Sequence, residues 1–283
     1  MITHLLSIDL EDWFHVLDND ATSSPNQWKK FPSRVEKSTE RLLALFDKHD
    51  VKVTFFVLGW IAKKFPNLVQ KIADNGHEIG CHSQNHPLIY LMSRKEFEYD
   101  LYNSLSLLRD ISGQAVSMYR APGFSITREC LWAFDILVKH GITVDSSVFP
   151  ASRAHGGLAG FPTEPFIIET SFGNLKELPI STFSFVGKRV AFSGGGYFRL
   201  FPRFVHSYFA KNATKPIIMY LHPREIDPSQ PRLSLPLMRY IKAYINLKST
   251  YNKLDYLLDH FSYGSVSEVV SKINWLETKV IHS

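Results

Sequence analysis

Cysteine is scarce in this sequence, with Cys81 and Cys130 as its two examples in 283 residues. Two cysteines cannot build a disulfide framework, and they lack the paired spacing of a zinc ribbon, so we interpret both as buried thiols. Apolar runs such as TFFVLGWIA (54–62) fall well short of the roughly 20 residues that a membrane-spanning helix needs. The sequence also lacks the basic, apolar and small-residue order of a secretory signal. We therefore expect a cytoplasmic protein.

The composition is typical of a folded protein with a modest excess of positive charge. Hydrophobic residues make up 45% of the chain, and neither the charged fraction of 21% nor the 15 Gly and 15 Pro indicate disorder. The net charge of +5 suits an anionic partner, such as a phospholipid surface or a phosphorylated sugar carrier. Because the basic residues are scattered, we expect no nucleic-acid partner. The oligomeric state is left open.

Short β-rich segments alternate with amphipathic helical segments along the first 150 residues, which is typical of a mostly parallel sheet or barrel. From about Ala151 the pattern loosens into a region rich in Gly and Pro, and the last fifty or so residues are again helical. The sequence has no internal repeat and no polar linker. We predict one domain over residues 1–283, with an irregular β-rich insertion at 151–202 and a helical C-terminal extension at 236–283.

Polar side chains stand at the ends of five predicted strands. In chain order they are Asp9, His82, Arg120, Asp145 and His222. Each alone has an ordinary explanation, because an Asp often caps a helix and an Arg is often a solvated charge. In parallel α/β folds, however, active sites collect at the carboxyl ends of the strands. The five ends together predict a shared site.

A metal ion would explain the carboxylates that crowd the end of the first strand. His82 and His86 are four residues apart, and Asp9, Glu11 and Asp12 lie within four positions. One carboxylate and two neutral histidines suit Zn²⁺, with Co²⁺ or Ni²⁺ as alternatives. Strand alternation puts Glu11 on the same face as Asp9, so we favour Glu11 as the third ligand and keep Asp12 as the alternative.

The ordered motifs SIDLED, HSQNH, RAPG, DSS and LHP, with the strand VTFFVLG, resemble the polysaccharide deacetylases with a NodB homology domain, the fourth carbohydrate esterase family. The segments DLEDWFH, SGGGYFRLFP and LHPREIDP are similar to a subgroup encoded with bacterial exopolysaccharide and O-antigen clusters, some of it tied to exosortase systems. The family pattern has adjacent aspartates in its first motif, and this chain departs from it with Asp9, Leu10, Glu11 and Asp12.

The resemblance implies an α/β fold, a distorted barrel of about seven parallel strands, and hydrolysis of an N-acetyl group on an amino sugar. Asp9 would be the base, oriented by Arg120, and the backbone N–H of Gly123 would face the oxyanion. His222 would donate a proton to the leaving amine, with Asp145 holding its imidazole.

The expected substrate is an amino-sugar glycan or its lipid-linked or nucleotide-linked precursor, met through peripheral association with an anionic membrane. Trp60, Phe124 and Tyr197 are candidates to stack on sugar rings. Two alternatives stay open. One is an amidase of the same fold that acts on a small non-sugar amide, and the other is a catalytically inactive carbohydrate-binding module.

Overall fold

The computed structural model describes residues 2–151 and 155–282 of the chain. The strands are β1 His4–Leu10, β2 Thr54–Val57, β3 Glu78–Cys81, β4 Met118–Tyr119, β5 Val144–Asp145, β6 Phe166–Thr170, β7 Gly173–Glu177, β8 Thr182–Phe185, β9 Lys188–Ala191, β10 Ile218–Leu221, β11 Tyr263–Gly264 and β12 Val280–His282. The helices are α1 Pro25–Trp28, α2 Val35–Lys48, α3 Gly59–Lys64, α4 Pro66–Asp74, α5 Arg94–Ser112, α6 Trp132–Lys139, α7 Gly195–Leu200, α8 Arg203–Lys211, α9 Leu237–Tyr244, α10 Leu247–His260 and α11 Val266–Ser271.

Parallel pairing organises the central sheet in the order β10-β1-β2-β3-β4-β5-β7. The chain beyond β7 returns beside β10, where Ser181 N–H donates to Ile218 O at 3.3 Å and Tyr220 N–H donates to Ser193 O at 3.0 Å. This return curves the seven strands into a distorted barrel. The predicted α/β barrel of about seven parallel strands is therefore confirmed.

The segments around this barrel combine helices with additional strands. Residues 151–202 include β6 to β9, of which β7 belongs to the barrel and β6 pairs with it antiparallel. Residues 236–283 contain α9, α10 and α11, and also β11, which pairs with β1, and β12, which pairs with β6. The division into one domain with an insertion and an extension stays a prediction. Within the described residues, none of the helices has the length and apolar character to cross a bilayer.

Strand β1 shows how the sequence positions the site. All seven of its residues are buried, as expected for a parallel strand covered on both faces. Leu6, Ile8 and Leu10 pack under the surrounding helices, whereas Leu5 belongs to a separate apolar cluster with residues from other strands. Ser7 and Asp9 share the face of Leu5 because side chains alternate along a strand. An apolar floor inside the barrel thus lies below a polar rim.

Gly80 in β3 permits close packing inside the barrel. A Cβ at this position would lie 2.6 Å from Cδ1 of Phe56, and the Phe56 ring lies against the Arg120 guanidinium, with 4.2 Å from Cζ to the ring centroid. A side chain at residue 80 would therefore push Phe56 towards Arg120.

We expect Gly80→Ala to lower the free energy of unfolding by about 1–3 kcal/mol, because a methyl group would overpack the barrel interior. Urea unfolding followed by circular dichroism measures the change. Adding Phe56→Leu removes ring atoms from the clash, so the double variant should lose less than the sum of the two single losses. A Gly80→Ala variant as stable as the parent would contradict the packing argument.

Candidate active site

Arg120 is a fully buried guanidinium at the polar rim of the barrel. Its Nη1 lies 2.6 Å from Asp9 Oδ1 and donates to Ser7 Oγ at 2.8 Å. Its Nε and Nη2 donate to the carbonyl and hydroxyl of Ser146, at 3.2 and 2.9 Å. A buried charge is stable only when it is paired and hydrogen-bonded. Asp9 supplies the counter-charge, and the Arg120 fork fixes its carboxylate.

Glu11, His82 and His86 form a cluster that can hold a divalent metal. Glu11 Oε1 lies 3.0 Å from His82 Nε2 and 2.9 Å from His86 Nε2, and the candidate ligand atoms all lie within 4.8 Å of one another. All three side chains are buried. The set of one carboxylate oxygen and two imidazole nitrogens fits Zn²⁺ and similar ions.

The electrostatics of this cluster favour an ionised carboxylate. Burial alone would raise the pKa of Glu11, but the electrostatic interaction with His86 and the hydrogen bonds with His82 and His86 hold its pKa well below the usual range. His82 Nδ1 lies 2.7 Å from the Arg120 carbonyl oxygen, to which it donates in the tautomer that leaves Nε2 free to bind a metal. Arg120 thereby contacts both Asp9 and the metal-ligand cluster.

The loop between the two histidines has an unusual backbone. Ser83 and His86 have φ angles of 68° and 56°, in the left-handed region that residues other than Gly seldom occupy. Asp100 on α5 braces the loop, because its Oδ2 accepts from Ser83 Oγ at 2.7 Å and from Gln84 N–H at 2.9 Å. Such strain persists where the surroundings over-determine it, and here they aim His86 at Glu11.

Asp12, the alternative ligand, points away from this cluster. Its carboxylate accepts from the backbone N–H of Trp13 at 2.9 Å and of Arg34 at 3.1 Å, and from the hydroxyl of Ser33. Burial raises its pKa despite these bonds. The geometry therefore supports the choice of Glu11, and Asp12 braces the loop after β1.

His222 has a different carboxylate partner from the one predicted. Its Nδ1 lies 3.1 Å from Glu225 Oε1, and Glu225 is in turn paired with Arg199. Burial would lower the pKa of His222, but the hydrogen bond to Glu225 and the charges of Glu11, Glu225 and Asp9 together raise it. The prediction that Asp145 holds this imidazole is wrong. Glu225 lies three residues after His222 in the motif LHPRE, and that spacing was a signal available in the sequence.

Asp145 instead supports the environment of Arg120. It accepts from Ser147 Oγ at 2.7 Å and Ser147 N–H at 3.1 Å, and Ser147 Oγ also accepts from Ala121 N–H at 2.8 Å. Its other neighbour is Glu177 from β7. Burial raises the pKa of Glu177 well above its usual value, and the charge of Asp145 raises it further. Burial also raises the pKa of Asp145. Both shifts favour the protonated form of these carboxyls.

The three predicted sugar-stacking residues differ in their exposure to solvent. Phe124 is 3% exposed and packs against Phe149 and Tyr220, and Trp60 is also buried, with Lys64 over its ring. Because both rings are buried, the structure does not support sugar stacking by these two residues. Tyr197 is exposed, and its role stays a prediction.

Gly123 and His15 are close in the chain to residues of the site. Gly123, the predicted oxyanion residue, lies on the turn after Arg120 with a φ of 61°, and its role stays a prediction. His15 is buried, with its ring centroid 6.3 Å from that of His86. Burial lowers its pKa to about 3, and its Nδ1 accepts from Asp12 N–H at 3.0 Å. Sequence reasoning missed this neutral imidazole beside the metal-ligand cluster.

Known proteins are similar to part of this chain. Residues 25–144, which include His82, His86 and Arg120, match a family model described as polysaccharide deacetylase. The peptidoglycan-N-acetylglucosamine deacetylase of Bacillus cereus is 35% identical over 96 residues, and the peptidoglycan deacetylase of Helicobacter pylori is 34% identical over 116 residues. Residues 25–144 are therefore similar to the polysaccharide deacetylase family.

The extent of these matches differs between sequence and structure. The aligned segments cover 34% and 40% of this chain and only 35% and 38% of the two curated relatives. The crystal structure of a candidate polysaccharide deacetylase from Mycobacterium smegmatis superposes with a TM-score of 0.67 at 17% identity, covering 98% of this chain and 91% of that one. That likeness shows a shared fold. Residues 146–271, which include His222 and Glu225, match a domain of unknown function, DUF3473.

We expect Glu225→Gln to lower the pKa of His222, because the substitution removes the negative charge that favours the imidazolium. His222 would then lose its proton at lower pH. The NMR signals of the His222 ring, followed through a pH titration, measure the shift.

Asp145→Asn is the matched control for this titration, since Asp145 contacts Ser147 and Glu177 rather than His222. It should leave the His222 titration in place. A shift in Asp145→Asn with none in Glu225→Gln would contradict the assignment of Glu225.

Proposed function

We propose that this chain is a metal-dependent hydrolase that removes an N-acetyl group from an amino sugar in a bacterial surface polysaccharide or its precursor. The observation that carries the proposal is the double contact of Arg120. Its guanidinium pairs with Asp9 at 2.6 Å, and its carbonyl oxygen lies 2.7 Å from Nδ1 of His82 in the metal-ligand cluster. Both similar curated proteins are named as deacetylases of peptidoglycan, which supports the class of substrate.

Asp9 is the proposed base that accepts a proton from the attacking water. A general base must be ionised and held in place, and the bond from Arg120 favours both conditions. A divalent cation held by Glu11, His82 and His86, with zinc preferred over cobalt or nickel, would polarise the acetamide carbonyl and lower the pKa of the attacking water. The proposed oxyanion donor is the backbone N–H of Gly123.

His222 is the proposed acid. Its Nδ1 is engaged by Glu225, so Nε2 is the nitrogen that remains for the leaving amine. Because its pKa is raised, the imidazolium persists to higher pH than an exposed histidine would allow, and the donor form is available near neutrality.

The finer features of substrate and place are also part of the proposal. We propose a lipid-linked or nucleotide-linked glycan precursor, handled in the cytoplasm, in the biosynthesis of an exopolysaccharide or O-antigen. The similarity of the motifs DLEDWFH, SGGGYFRLFP and LHPREIDP to that subgroup supports it.

Metal content tests the ligand assignment. We expect His82→Ala to purify without the metal that the parent protein contains, because a site with two of three protein ligands binds weakly. His222→Ala should retain the metal, since His222 lies outside the ligand set. Elemental analysis of both purified variants measures this. Equal metal in His82→Ala and the parent would refute the assignment.

Acetate release tests the reaction. We expect the metal-loaded protein to release acetate from N-acetylglucosamine oligomers, a chelator to stop it, and His222→Ala to slow turnover by about 10²-fold. Release from small non-sugar amides alone would favour the amidase alternative. Glycan binding without acetate release would favour the inactive binding module.

A further inference from the structure

The basic residues are scattered along the chain, but the acidic residues that balance them are nearly absent from one segment. Residues 178–254 contain 12 Lys and Arg against two acidic residues, Glu225 and Asp227, whereas the rest of the chain contains 20 Lys and Arg against 25 Asp and Glu. The net charge of +5 is therefore the sum of +10 in residues 178–254 and −5 in the rest of the chain. A segment of this kind attracts anionic partners.

The same segment exposes most of the large apolar side chains on the surface. Among the described residues, ten of the sixteen exposed large hydrophobic side chains belong to it. Leu237 and Met238 on α9 are 73% and 66% exposed, and Phe204 on α8 is 71% exposed. The ten are Phe185, Val186, Tyr197, Leu200, Phe204, Tyr208, Leu237, Met238, Tyr240 and Ile241. Exposed apolar side chains mark an interaction surface where they lie together on neighbouring elements.

Helices α7, α8 and α9 pack together and carry eight of these ten side chains. Arg199 on α7 donates to the carbonyl of Lys242 on α9 at 2.7 Å and to the carbonyl of Ile245 at 2.9 Å. The ring of His206 on α8 lies 4.7 Å from the ring of Phe198 on α7, measured between centroids. We call the outer side of these three helices the apolar face.

Within α9 the apolar side chains have helical spacing. Leu237 and Ile241 are four residues apart, and Met238 and Ile241 three, so the three lie on one side of the helix. Exposed lysines accompany them, namely Lys242 on α9, Lys248 on α10 and Lys211 on α8. Apolar side chains with a basic surround are the pattern of an interfacial helix on an anionic membrane.

The apolar face is connected to the active site. Arg239 on α9 donates to the carbonyls of Leu17 and Asp18, at 2.5 and 2.7 Å, in the loop that follows Glu11 and Asp12. On its other side α9 is held by Arg199, the partner of Glu225, which contacts His222. Helix α9 therefore lies at the rim of the site.

We propose that the apolar face formed by α7, α8 and α9 is a docking surface for an anionic lipid bilayer. Leu237, Met238 and Ile241 insert at the level of the headgroups, and the surrounding lysines pair with lipid phosphates. The active-site rim then faces the membrane, where a lipid-linked glycan is presented. This last consequence rests on the proposed function, but the docking surface does not.

Vesicle binding tests the surface with the metal-loaded protein. We expect co-sedimentation with vesicles of phosphatidylcholine mixed with phosphatidylglycerol, little with phosphatidylcholine alone, and weakening with added salt. Leu237→Ser with Met238→Ser should lower the partition coefficient by about tenfold or more, because two apolar anchors are lost. Lys242→Glu with Lys248→Glu should lower it by a similar factor.

Two matched control variants distinguish binding through this surface from non-specific adsorption to vesicles. Leu276→Ser with Phe172→Ser removes exposed apolar side chains elsewhere, since Leu276 is 98% exposed, and Lys37→Glu with Lys95→Glu makes the same charge change outside the basic segment. Both controls should bind vesicles as the parent does. Equal loss in test and control variants, or equal binding to both vesicle types, would overturn the proposal.

A second copy of the chain is the competing occupant of the apolar face. Light scattering coupled to size exclusion would reveal it, and a parent dimer that Leu237→Ser with Met238→Ser converts to a monomer would overturn the membrane proposal. Acetate release from soluble N-acetylglucosamine oligomers is measured on every variant. A parent protein that releases no acetate would contradict the proposed function but not the docking surface. A test variant that loses vesicle binding while acetate release is unchanged would support the docking surface independently of the proposed function.

Discussion

The buried ion pair between Arg120 and Asp9 is the interaction on which the rest of the site depends. A guanidinium inside a barrel is costly to bury, and the fold compensates by supplying a hydrogen-bond acceptor or an aromatic ring in each direction around it. Ser7 and Ser146 accept its N–H groups, and Phe56 lies against its face. Its backbone carbonyl orients His82. One residue thus fixes both the proposed base and a proposed metal ligand.

Much of this site was predictable because its residues lie at strand ends. Parallel strands carry Asp9, His82 and Arg120 to one rim, so the short apolar runs before each residue were sufficient to bring them together. Side-chain alternation at the end of β1 also distinguished Glu11 from Asp12. Asp12 accepts hydrogen bonds from the backbone N–H groups of Trp13 and Arg34, and its carboxylate therefore points away from the metal-ligand cluster.

The remaining assignments depended on contacts that strand order does not specify. Asp145 lies at a strand end, but its partner Glu177 comes from β7, which joins the barrel after a long and irregular segment. Glu225 reaches His222 through a tight helical turn after β10. Phe124 and Trp60 are in aromatic-rich stretches that look alike whether they line a groove or fill a core. Burial decided these cases, and burial is a property of the packed molecule.

The raised pKa values of Asp145 and Glu177 affect how strongly Arg120 can hold Asp9. If both carboxyls were ionised, three anions would compete for the single positive charge of Arg120, and its attraction for Asp9 would be diluted. Because both pKa values are raised, the pair adds less negative charge to this enclosed region than two ionised carboxylates would. The packing around these two side chains thus leaves more of the positive charge of the guanidinium available to the proposed base.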